Sequence, residues 1–149
     1  MAPAKLVGFL SLLTVLLVGC GLVRRGVTVL IPEGMAGWVR IEYEVADASP
    51  LPQEGGRYIE AIPKSGLLKT SSKPDSGFGD DQYCFVDEHG GRRSLELDDS
   101  DPNVAAVRDR KTFTIGAPGA LNRTFRAFFV GTKSAYQGAP KDPTTLPLP

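Results

Sequence analysis

Trp38-Val39-Arg40-Ile41-Glu42-Tyr43-Glu44-Val45 alternates at period two. Val39, Ile41, Tyr43 and Val45 fall on one side, and Trp38, Arg40, Glu42 and Glu44 on the other. That is the pattern of a half-buried antiparallel β-strand, with Trp38 on its polar face. Upstream, Val27-Thr28-Val29-Leu30-Ile31 is β-branched and apolar, and it stops at Pro32-Glu33-Gly34. The short loop from Glu33 to Gly37 predicts that these two strands form a hairpin.

Further strand signals follow downstream. Residues 57–62 and 66–70 form one region, interrupted by Pro63-Lys64-Ser65. Proline there removes a ladder donor and marks an edge or a corner. Residues 82–86 and 92–97 flank Asp87-Glu88-His89-Gly90-Gly91, the strongest hairpin signal in the chain, because paired glycines allow positive φ. Residues 111–115 and 125–130 complete the set. Only residues 104–109 and 134–137 suggest helix. About seven short strands separated by Gly and Pro predict an all-β fold over residues 27–136. The expectation is a single antiparallel β-sandwich, with a small barrel as the other solution. Ile31-Pro32-Glu33-Gly34 and Ile62-Pro63-Lys64-Ser65-Gly66 look alike, but their flanks differ, so no repeat is assigned. Residues 137–149 are proline-rich and are expected to be disordered or extended.

The chain has 149 residues, with 17 Lys plus Arg balancing 17 Asp plus Glu. That balance argues against a nucleic-acid partner, which draws a basic excess. Two cysteines exclude a disulfide-rich scaffold or a four-thiolate zinc site, and one histidine excludes any site that needs two. Cys84, between Tyr83 and Phe85, reads as a small buried hydrophobe.

The first twenty residues read as an address. Lys5 precedes thirteen uncharged residues, 6–18, a length that suits a signal-peptide core and is short for a membrane span. The run ends in Leu17-Val18-Gly19-Cys20, which resembles the lipobox of bacterial lipoproteins. The resemblance implies that residues 1–19 are a cleaved helical signal peptide and that Cys20 becomes an acylated N-terminus. Two or more acyl chains hold far better than one, since each buried methylene contributes about 0.8 kcal/mol. Residues 20–26 would then be a very short tether, with Arg24 and Arg25 either touching headgroups or solvated at a strand edge. The expected location is the extracytoplasmic side of a bacterial membrane. With no Asp after Cys20, this would be the outer-membrane inner leaflet in a host with two membranes.

Several phrases together resemble an uncharacterised family of small bacterial lipoproteins. They are residues 27–34, Gly37-Trp38-Val39-Arg40-Ile41-Glu42-Tyr43, residues 65–72, residues 83–87 and Phe128-Phe129-Val130-Gly131-Thr132. Cys84 and the stretch 96–120 depart from that pattern. The resemblance implies location and fold and carries no catalytic residue. The strand pattern is also similar to transthyretin-like sandwiches, an analogy of fold alone.

A search for chemistry finds no G-x-S-x-G, P-loop or H-E-x-x-H motif. His89 sits in a turn where solvation is the default. Gly77-Phe78-Gly79 lacks the rest of a dinucleotide fingerprint. Asp99, Asp101 and Asn103 have the alternating oxygen spacing of a calcium loop, yet Val104 and Arg110 stand where an EF-hand needs Gly and Glu. They read better as Asx turns capping a helical turn. No cofactor is expected. Trp38 and Tyr58 are the candidate binding-surface aromatics. The expected function is a non-catalytic envelope interaction domain, held to the membrane through Cys20, with a protein or an envelope polymer as partner. The alternative is a small-molecule or carbohydrate-binding lipoprotein. A third reading is a hydrolase using carboxylates among Asp80, Asp81, Glu88 and Glu96.

Overall fold

A computed structural model describes residues 25–75, 79–115 and 123–141. Leu17, Val18, Gly19, Cys20, Arg24, Phe78 and the tail beyond residue 141 lie outside these described residues.

Among the described residues, nine strands and one short helix follow in order: β1 (Val27–Pro32), β2 (Gly37–Glu42), β3 (Gln53–Glu54), β4 (Arg57–Ala61), β5 (Leu67–Lys69), β6 (Gln82–Val86), β7 (Arg92–Ser94), β8 (Ala106–Ile115), β9 (Arg123–Gly131) and α1 (Lys133–Gly138). They form two packed sheets, ordered β3-β4-β1-β6-β7 and β5-β2-β9-β8. The all-β sandwich expected from the sequence is the architecture found.

The core lies between the sheets. Val29 and Ile31 from β1 meet Val39 and Ile41 from β2, Val107 from β8, and Phe128 and Val130 from β9, all with no accessible surface. Fully burying such side chains stabilises by about 1.5–3 kcal/mol each. The period-two alternation of β2 holds: Val39 and Ile41 face inward, while Trp38 and Arg40 lie on the outer face beside Phe129 and Ala127 of β9.

Strand pairing differs from expectation in three ways. First, β1 and β2 do not form a hairpin. The loop after Pro32 carries the chain across the sandwich, so the two strands lie in different sheets. Second, the sheets are mixed: β1 runs parallel to both β4 and β6, and β2 runs parallel to β5. The reason is topological. The chain leaves the first sheet after β1, travels back along β2 in the second, and re-enters the first as β3, which turns into β4 in the original direction. The continuous apolar run of β1 suits a central strand with parallel neighbours. Third, residues 104–109 are not helical, because β8 begins at Ala106.

Pro63 does mark a corner. Beyond it the chain passes from β4 to β5 in the other sheet, and this explains the likeness of the two Ile-Pro phrases. The register Leu30↔Ala61 sets the first corner beside the second, with Ile62 N donating to Leu30 O at 2.8 Å. Both corners close the same way: Met35 N donates to Pro32 O at 3.1 Å and Gly66 N to Pro63 O at 2.9 Å. They are two stacked β-arches.

The expected hairpin of β6 and β7 forms, with Cys84 opposite Ser94. Cys84 is only partly buried, on the outer face, because Tyr83 and Phe85 take the two inward positions. The helix at 134–137 forms as α1, where the Thr132 hydroxyl accepts from Ala135 N at 3.2 Å and caps the first turn.

Candidate functional site

Opposite ends of the sandwich carry different chemistry. The arch end lies beyond Pro32 of β1 and before Trp38 of β2. The open end holds the start of β1, where Val27 pairs with Tyr58, and the region just past the end of β2.

At the open end, period two turns polar groups inward. In β4 the partner of fully buried Val29 is Glu60, itself 1% exposed. In β9 the partner of fully buried Ile41 is Arg126. The two side chains reach across the sandwich and form an ion pair between Arg126 Nη2 and Glu60 Oε2. The Tyr43 hydroxyl donates to Glu60 Oε1 at 2.7 Å. Asp81 Oδ2 lies 3.6 Å from Arg126 Nη1, and its Oδ1 accepts from Val27 N at 3.2 Å. The buried Nε of Arg126 finds no acceptor among the described residues.

Burial and the adjacent negative charge of Glu60 push the Tyr43 hydroxyl well above the ordinary tyrosine range. Burial likewise raises Tyr83. For Arg126 burial opposes the charge, but the field of Glu60 outweighs it and the guanidinium is held protonated. Two cavities border this cluster and share Tyr43, Pro74, Asp75 and Arg126 as walls. One, of about 290 Å³, extends towards Leu51 and Tyr58. The other, of about 830 Å³, extends towards Tyr83 and the threonines of β8.

At the arch end, Trp38 packs edge-on against Phe129 and Tyr136, with ring centroids 5.7 and 6.2 Å away. Its indole N–H donates to the carbonyl of Pro140 at 2.8 Å. An open groove of about 660 Å³ runs from the two arch turns past Trp38 to Pro140.

Residues 25–138 match the model of DUF6843, a family of unknown function. The chain belongs to the DUF6843 family. Comparison with curated proteins finds no match. Among solved structures, the DUF6843 chain is similar to a crystal structure described as a "Putative Lipoprotein from Bacillus anthracis". The identity is 21% and the TM-score 0.61, over 85% of this chain and 86% of that one. At that identity the likeness concerns the fold.

The DUF6843 fold separates the two candidate aromatics: Trp38 borders the arch groove, and Tyr58 the smaller cavity at the open end. Tyr43, Tyr83 and Phe85 are buried. The four candidate carboxylates are not brought together. Asp81 joins the Arg126 cluster, Asp80 pairs with Arg57 at 3.3 Å on the surface, Glu88 lies in the β6–β7 turn at the arch end, and Glu96 is exposed.

Asp99, Asp101 and Asn103 form consecutive Asx turns. Asp101 N donates to Asp99 Oδ1 at 2.8 Å and Asn103 N to Asp101 Oδ1 at 2.9 Å. They cap no helix. Their loop closes instead on Arg108, which donates to the carbonyls of Asp99 and Val104 at 3.2 and 3.4 Å. Among the described residues no cluster of three or more His, Cys, Asp or Glu could hold a metal ion.

Glu60 and Arg126 were not among the sequence candidates. One signal was available: Arg126 shares parity with Phe128 and Val130, and Glu60 with Ile62, so opposite charges fall on inward positions.

Proposed function

We propose that this DUF6843 protein is a bacterial envelope lipoprotein, anchored through acylated Cys20, whose sandwich is a non-catalytic recognition module. The observation that carries the reading is the placement of Trp38. The chain comes into the sandwich at Gly26, at the open end, whereas the Trp38 groove lies at the arch end. Seven residues, 20–26, reach at most about 25 Å. An anchor at Cys20 therefore holds the open end to the bilayer and leaves the Trp38 groove facing away from it, towards a protein or an envelope polymer. The lipobox-like Leu17-Val18-Gly19-Cys20 and the lipoprotein description of the structural neighbour support the anchor. The carboxylates Glu60 and Asp81 both lie against Arg126, which suits a structural pin better than a general acid or base.

The test combines Cys20→Ala with a photo-crosslinking side chain at exposed Ala36, on the groove rim, or at exposed Asp47, at the open end. The expected result has three parts. Cys20→Ala leaves the membrane fraction, the Ala36 position gives a discrete adduct or retention on isolated wall polymer, and Trp38→Ala abolishes it. Membrane retention of Cys20→Ala overturns the anchor. An adduct from Asp47 alone overturns the groove.

A further inference from the structure

We infer that the cleft at the open end, opposite the Trp38 groove, is a binding site for a neutral oligosaccharide. The two cavities there adjoin at Tyr43 and Arg126. A recognition site for a small ligand commonly encloses about 300–1,000 Å³. The smaller cavity sets Val27, Leu51 and half-buried Tyr58 beside the charged Glu60, Lys73 and Arg126. The larger is rich in hydroxyl groups, with Tyr83, Thr112, Thr114 and Thr124. A sugar ring presents the same two faces: C–H groups that pack on an aromatic ring, and hydroxyls that both donate and accept.

Charge narrows the ligand class. Asp75, Asp81, Asp98 and Asp109 border the larger cavity against Arg110, Lys111 and Arg126. Most of this charge is already internally matched: Asp81 lies against Arg126, and Lys111 pairs with Asp109 at 2.8 Å. An anionic ligand would meet four carboxylates against three cations, two of which are already paired. An apolar one would strip water from charged and hydroxyl groups without replacing its hydrogen bonds. A neutral polyol, which both donates and accepts, matches a lining of hydroxyls and paired charges. The rim is irregular backbone, with a bulge in β8 between Arg108 and Lys111, and with Asp98 and Asp109 at positive φ. Such features recur beside ligand sites.

The experiment titrates the full chain in detergent micelles with chitotriose, maltotriose and, as an anionic probe, inorganic phosphate, followed by calorimetry and saturation-transfer NMR. At least one trisaccharide is expected to bind in the millimolar range or tighter, with no phosphate signal. Thr112→Val and Thr124→Val are each expected to weaken it about tenfold, the effect of one lost hydrogen bond. Both positions lie near the surface, so these variants keep the fold where Tyr58→Ala disturbs it. Trp38→Ala is expected to leave saccharide binding unchanged, which separates this site from the groove proposed above. Binding of neither trisaccharide at ten millimolar overturns the inference. So does phosphate binding in their place, or saccharide binding indifferent to both threonine variants.

Discussion

Arg126 holds together two side chains from the opposite sheet. Removing its guanidinium leaves Glu60 charged at 1% exposure beside the Tyr43 hydroxyl, without that counter-charge. Arg126→Ala is expected to destabilise by about 3–5 kcal/mol in urea denaturation, because it strands a buried charge. The double variant Arg126→Met/Glu60→Leu should lose much less, since it removes both charges together. A loss for the double variant as large as for the single would show that packing, and not charge, dominates the site.

The raised Tyr43 and Tyr83 hydroxyls set an alkaline limit. Their folded pKa values lie above the unfolded value near 10, so their contribution is complete below about pH 10 and is lost as pH rises beyond it. Denaturation midpoints should fall steeply above pH 10. Tyr43→Phe should lower stability at neutral pH by removing the hydrogen bond to Glu60 Oε1, while flattening the alkaline decline. At this scale the inward or outward position of a residue could be read from parity, as Trp38 shows. The partner could not. Glu60 and Arg126 are 66 positions apart, and nothing local joins them.

The two β-arches decide how the elements are joined. Gly34 and Gly66 both have positive φ, at 75° and 79°. A Cβ on Gly34 would meet nothing within 4 Å. On Gly66 it would lie 2.8 Å from the Trp38 carbonyl oxygen and 3.1 Å from the Met35 methyl. Gly34→Ala should therefore cost about 1–2 kcal/mol, the left-handed penalty alone. Gly66→Ala should cost clearly more and disturb the Trp38 groove. Thermal denaturation of the pair compares them, and equal costs would count against the close packing of the arches. The strands themselves were legible from apolar runs and turn residues. β3 was missed because its two exposed residues, Gln53 and Glu54, show no apolar alternation, although Gly55-Gly56 makes a tight turn after them.

In the whole molecule, mixed pairing follows from alternation between the sheets. Edge strands are short or charged. β3, β5 and β7 have two or three residues, and β8 carries Arg108-Asp109-Arg110-Lys111. Such edges resist pairing with a second chain. Of the described large hydrophobics only Leu97 and Val104 are exposed, and two such residues do not make a broad apolar patch.

The sequence by itself determined the β class, most strand positions and the inward face of most strands, because these depend on period-two patterning and on residues within one turn of each other. The lipobox-like leader was equally local. Only the tertiary structure decided that the Ile31 and Ile62 corners are arches and not hairpins, that Trp38 and Tyr58 stand at opposite ends, and that Glu60 meets Arg126. Those outcomes depend on which sheet each strand joins, and that is set by burying the apolar faces of distant segments against one another.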